Sequence, residues 1–186
     1  GLTLSRLRQS DAYISLSTMR DLLQNLAIRL QAPGWHLGLA SHLSFTSHGP
    51  LGVAAATAPD LRTAIDVLLR YTEIRAPYVW LTGEPGADYF IIRAVEAVDL
   101  GPVRQLLVET MFLAIQSIVA GILGRNLAGA QLELAYSAPP YDAALRRAFD
   151  GDLKFDGEGH YLRLLIVYTP GQLLIAAQKA RPRLSA

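Results

Sequence analysis

The chain has 186 residues, 51% of them hydrophobic and 18% charged, which is enough to bury the core of one domain. Seventeen Lys and Arg against sixteen Asp and Glu leave a formal net charge of +1, excluding the broad basic footprint that binds nucleic acid or an anionic membrane. Cysteine is absent, which excludes disulfides, thiolate nucleophiles and cysteine zinc sites together and is compatible with a reducing cytoplasm.

The opening GLTLSRLRQSD holds no apolar run of signal-peptide length. In LSTMRDLLQNLAIRL, residues 16–30, Met19, Leu22, Leu23, Leu26 and Leu30 recur at helical spacing and Arg20, Gln24 and Asn25 lie off that stripe, predicting an amphipathic helix. Pro33 and Gly34 end it, and a short helical stretch is expected through Leu37, Leu39 and Ala40. Residues 51–57, LGVAAAT, are small and apolar with no polar helical face, so the pattern predicts a closely packed strand. Asp60 then caps a helix to about Ile74 with Leu61, Ala64, Ile65 and Leu68 inward. On its outer side Arg62, Asp66 and Arg70 stand four apart, spaced to pair.

YVWLT (78–82) and DYFIIRA (88–94) are aromatic and β-branched, and the Gly83, Pro85 and Gly86 between them predict a β-hairpin. Pro102 suits the first turn of a long helix to about Leu123. Its polar positions Gln105, Glu109 and Gln116 make only a narrow stripe, so the helix is expected to lie buried across the sheet. The most apolar part, residues 111–124, is too short for a bilayer and carries Gln116 and Ser117, so no membrane partner is expected. A strand at 131–135, a turn at Pro139-Pro140, a helix at 141–149 and strands at 153–155 and 161–167 complete the order. Hairpins alternating with helices predict an α+β fold, a mainly antiparallel sheet covered by the long buried helix and by further amphipathic helices.

Chemistry is sparse. No Gly-x-Ser-x-Gly elbow or phosphate loop occurs, and Gly157 and Gly159 precede a strand rather than the helix a dinucleotide needs. His36, His42 and His48 are spaced by six, which does not gather them on one helix face, so they read as surface or turn histidines. Asp150, Asp152, Asp156 and Glu158 are interrupted by Lys154 and miss the calcium-loop spacing, reading as a solvated turn. Glu96, Glu109 and Glu133 sit in three elements, so position identifies no carboxylate pair for acid/base work, and any of them could be an ordinary surface charge. No catalytic residue, metal or cofactor is expected. The candidate small-molecule site is Tyr78, Trp80, Phe90, Met111 and Phe112, with Arg93 as an anchor for an anionic ligand. Plain core packing is the alternative for each, and strand alternation lets only one of Phe90 and Arg93 face inward.

Two stretches resemble a known family. In HGPLGVAAATAPDLRTAIDVLLRYTEI, Gly49, Leu51, Gly52, Ala58, Ala64, Arg70 and Tyr71 match the arabinose-binding-domain type of AraC-family regulators. In LELAYSAPPYDAALRRAFDGDLKFDGEGHYLRL, the match rests on Pro139, Pro140, Tyr141, Arg146, Arg147, Phe149, Phe155 and Asp156. The chain departs from that pattern at Tyr136, where the family often has His, and at His160, where it often has Asn. The resemblance implies a cytoplasmic, homodimeric domain over residues 1–175 that senses a small-molecule effector. It also implies that residues 176–186 begin a linker to a C-terminal helix-turn-helix domain through which DNA is bound. Two rival readings stand beside it: a dimerisation module without ligand, and an enzyme on a small apolar substrate, for which the sequence offers no convergent titratable pair.

Overall fold

The computed structural model describes residues 14–40, 49–86, 89–169 and 172–175, with isolated positions 3, 5, 8, 42 and 47. The expected linker at 176–186, His48 and Asp88 lie outside the described residues.

Helix α1 spans Leu16–Leu30, with the Ser15 hydroxyl accepting from the Thr18 amide at 3.1 Å and Gln31 closing it in a left-handed conformation. Its stripe is only half sunk: Met19 and Leu23 pack against the core, yet no residue of α1 is fully buried. Gly34 follows at φ 80°, where a Cβ would lie 2.9 Å from Cγ of Tyr141, so glycine alone lets α2 (Trp35–Ala40) turn in beside that ring.

Residues 51–57 are not a strand. Gly49–Ala56 form helix α3, burying Gly52 and Ala55 and leaving Val53 49% exposed. A short apolar run without polar positions carries neither period, and here alanine's helix preference and Pro50 in the first turn decide it. The unit is a helix pair, completed by α4 (Leu61–Arg75), whose Asp60 cap accepts from the Thr63 amide at 2.8 Å. Leu61, Ala64, Ile65 and Leu68 are buried as the spacing requires. Among the described residues Arg62, Asp66 and Arg70 form no ion pair, and the Arg70 guanidinium lies 5.6 Å over the Tyr71 ring instead.

The strands are β1 (Val79–Pro85), β2 (Tyr89–Glu96), β3 (Gln131–Glu133), β4 (Asp152–Lys154), β5 (His160–Thr169) and β6 (Gln172–Ile175). Their order is β1-β2-β5-β3-β4, with β6 paired to the far end of β5. Every pairing is antiparallel except β3 with β4, so the fold is α+β with a mainly antiparallel sheet. Alternation gives it two unlike faces. Inward, Ile92, Leu162, Leu132 and Leu153 form one buried row across four strands. Outward, the next row runs Thr82, Arg93, Tyr161, Glu133 and Lys154.

A 3-10 turn at Gly101–Val103 leads into α5 (Arg104–Leu123). By length and composition the segment Gly101–Leu123 is apolar enough to cross a membrane, but eleven residues of α5 are buried in the core, Glu109 and Gln116 among them. Gln116 is satisfied by the Ala148 carbonyl at 3.0 Å and the Asp150 amide at 2.9 Å, which fastens α5 to the end of α6 (Asp142–Ala148).

Candidate functional site

Glu109 sits in the second turn of α5, on its inward side, and is fully buried. A carboxylate there must be paired, and three side chains from distant parts of the chain meet it. His36 of α2, itself 3% exposed, places Nε2 at 2.6 Å from Oε2. The Tyr136 hydroxyl donates to Oε1 at 2.7 Å and the Tyr141 hydroxyl to the same oxygen at 3.3 Å. Burial, reinforced by the neighbouring carboxylate, raises both phenol pKa values well above their usual range, so both hydroxyls stay protonated and keep donating.

The His36 ring meets two others edge to face, Tyr141 at 5.4 Å and Trp35 at 6.2 Å between centroids. Tyr136 lies 5.7 Å from the His160 ring. The two positions where the sequence departs from the family pattern are therefore neighbours. Burial lowers the His160 pKa, and its Nδ1 accepts from the Ala135 amide at 3.3 Å, a bond only the unprotonated nitrogen can make.

Above the tetrad opens a cleft of about 670 Å³ between α1, the turn into α2 and the start of α5. Leu23, Gln24, Trp35, Gln105 and Leu106 wall it, and His36 and Tyr141 form its polar floor. Its side chains supply amides, rings and aliphatic surface, with no Lys, Arg, Asp or Glu among them. A second cavity of about 290 Å³ lies further along α5, beneath α3 and α4.

The six residues singled out from sequence do not share one cavity. Tyr78 and Met111 line the second one, and Phe90 and Phe112 are core. Trp80, 55% exposed, and Arg93 are on the outer sheet face, where Arg93 lies 5.0 Å over the Tyr161 ring and 3.9 Å from Glu84. Alternation turned Phe90 inward and Arg93 outward.

His36 and Glu109 are not the surface groups that spacing suggested, because each neutralises the cost of burying the other. They are separated by 73 residues, so no local pattern links them. The available signal was Glu109 itself, a lone carboxylate between Val108 and Met111 in a helix otherwise almost wholly apolar on its inner side.

Comparisons with known proteins agree with this architecture. The family described as the N-terminal arabinose-binding domain of the AraC transcription regulator matches residues 1–164. The ornithine utilization regulator of Pseudomonas aeruginosa is 24% identical over 144 residues, which are 77% of this chain and 42% of that protein. The crystal structure of the transcriptional regulator CdpR from Pseudomonas aeruginosa superposes with a TM-score of 0.57 at 15% identity, covering 84% of this chain and 56% of that one. The chain thus spans about half the length of each. Both relatives are named as regulators rather than enzymes. With nearly its whole length matched, the chain belongs to the N-terminal arabinose-binding domain family of AraC transcription regulators.

Proposed function

We propose that this regulatory domain senses a small-molecule effector in the cleft above Glu109, and that occupancy biases a DNA-binding half of the full protein. The observation that carries the reading is a cleft of about 670 Å³ with no Lys, Arg, Asp or Glu in its lining, whose two polar floor rings, His36 and Tyr141, are both held by the buried Glu109. Such a floor is rigid, and ligands are recognised by a few fixed polar groups in an otherwise apolar wall. Because the cleft lies between α1 and the α5 core, a ligand touching both favours the arrangement in which α1 is seated.

The test is a thermal screen of small metabolites that includes arabinose and ornithine, the compounds in the names of the family and of one relative. A true effector at a hundred times its Kd stabilises the domain by about 2.7 kcal/mol, raising Tm by roughly 5–10 °C. The shift should vanish in Gln105→Trp, which fills the cleft. A panel that moves nothing, or a shift that survives Gln105→Trp, refutes the assignment.

We also propose a homodimer. The supporting observation is apolar surface on the α3–α4 pair, where Val53, Tyr71 and Ile74 are 49%, 41% and 78% exposed. Ile74→Asp should shift sedimentation from dimer to monomer, and an unchanged dimer would place the interface elsewhere.

A further inference from the structure

The cleft over Glu109 has no means of holding an ion. Leu23 and Ile28 of α1, Trp35, and Val103 and Leu106 at the start of α5 line it, and among the described residues no Lys, Arg, Asp or Glu does so. Charges do lie close by in the chain, and each is already committed. Arg104 falls between two lining residues, Val103 and Gln105, yet its guanidinium turns to Glu96 at 2.6 Å and to Asp99 at 3.4 Å. Arg20, one turn before Leu23 and Gln24, donates to the Asp99 carbonyl at 3.4 Å. The amides leading into a helix are ordinarily a cradle for an anion, but here they are taken. Leu100 donates to Glu96 Oε2 at 3.4 Å, Gly101 to Asp99 Oδ1 at 2.9 Å and Arg104 to the Gly101 carbonyl, while Pro102 has no N–H. Nor is a carboxylate presented to a cation, since Glu109 is fully buried and its two oxygens already accept from His36, Tyr136 and Tyr141.

We propose, resting on the reading of this cleft as the effector site, that the effector is neutral throughout: a largely apolar molecule whose polar group is uncharged, such as a carboxamide or a ketone, and not a carboxylate, a phosphate or an amine. An ion entering the cleft would lose hydration that nothing in the lining replaces, a cost that apolar contact does not offset. A free amino acid, with charges of both signs, fits worst. A polyol fits little better, because its hydroxyls would be pressed against Leu23, Ile28, Val103 and Leu106 without partners. Volume sets the size: the cleft is about 670 Å³, and since about 150 Å³ suffices for benzene, it suits a body of more than one ring or a chain of comparable bulk.

The test uses three probes of one shape, 2-naphthamide, 2-naphthoate and 2-naphthylmethylammonium, which are neutral, negative and positive. Each is titrated into the full chain while the indole N–H resonances of its two tryptophans are followed by NMR. Trp35 lines the cleft and Trp80 is on the outer sheet face, so binding in the cleft moves the first resonance and leaves the second. The amide should move Trp35 saturably with a Kd below about a millimolar, and both ions should bind at least about tenfold more weakly. A charge placed on the wall should reverse that order: Gln105→Lys should tighten naphthoate about tenfold, and Gln105→Glu should do the same for the ammonium. The two ways of failing are distinct. If either ion moves Trp35 of the wild type with a Kd short of that tenfold margin, or if the two charged variants leave the order unchanged, the neutral class is wrong and the effector site stands. If none of the three probes moves Trp35, the effector site itself is wrong and the inference falls with it.

Discussion

Glu109→Ala is the most informative perturbation because it removes one carboxylate and strands three donors. Tyr136 and Tyr141 are only partly buried, and Tyr141 lines the cleft where water can meet its hydroxyl, but His36 at 3% exposure is shut in. Stranding one member of a buried charged pair costs about 3–5 kcal/mol, and each orphaned neutral donor about 1–3 kcal/mol where water cannot reach it. We therefore expect a loss of about 3–5 kcal/mol, or roughly 6–20 °C in Tm for a domain of this size. Glu109→Gln keeps the volume and the acceptor for Tyr136, and its amide can donate to His36 if the imidazole carries its proton on Nδ1. A neutral bond then replaces a charge-assisted one, at a cost of about 1–2 kcal/mol. Urea unfolding with an unchanged m-value measures both. An alanine variant that loses less than about 1 kcal/mol, or a glutamine variant as damaged as the alanine, refutes the reasoning.

Gly34→Ala should lose about 1–3 kcal/mol by urea unfolding, because the new Cβ meets Tyr141 at 2.9 Å and φ is 80°, and a variant as stable as wild type would mean the turn packs differently. For His160 the folded-state pKa is lowered by burial, so below the ordinary value near 6.5 the unfolded chain takes up a proton that the native state refuses. Stability should accordingly be full above that pH, fall as pH drops from it toward the folded-state pKa, and level off below. His160→Asn, which offers an oxygen to the Ala135 amide, should flatten this component of the pH dependence, and an unaltered slope would assign it to other groups. Trp80→Ala and Arg93→Ala should leave an effector-induced Tm shift intact, since both side chains are on the outer sheet face, and a lost shift would move the ligand there.

Helices whose apolar positions keep a clear period were legible from sequence. The reading of Leu16–Leu30 coincides with α1, and Asp60 marked the start of α4 through the hydrogen bond that defines a cap. The hairpin was legible from its two aromatic, β-branched runs, but not where it turns: Gly83 to Pro85 continue β1 opposite Ile92 to Phe90, and Gly83 lets Leu69 and Phe90 close over the sheet, where a Cβ would lie 2.4 Å from the Leu69 side chain. The failure at Gly49–Ala56 has a physical cause: a run of glycine, alanine, valine and leucine is apolar on all sides, so periodicity is silent. The tetrad was illegible for another reason. Its members are spread from His36 to Tyr141, and only the closed fold brings α2, α5 and the Pro139-Pro140 turn together. Tyr141 was named only as one of the positions that carry the family resemblance, and here it is also a wall of the cleft.

The shallow seating of α1 bears on how the domain would report occupancy. A helix with no fully buried residue has little tertiary packing to lose on opening, so its amides belong to the class that exchanges with deuterium through local fluctuations. The α5 amides, on a helix with eleven buried residues, should exchange only through global unfolding. Both cavities have α1 side chains in their walls, Leu23 and Gln24 in one and Met19 in the other. Filling the Glu109 cleft should therefore slow deuterium uptake first from Leu23 onward and last around Met19, so that this single helix carries a spatially resolved record of occupancy.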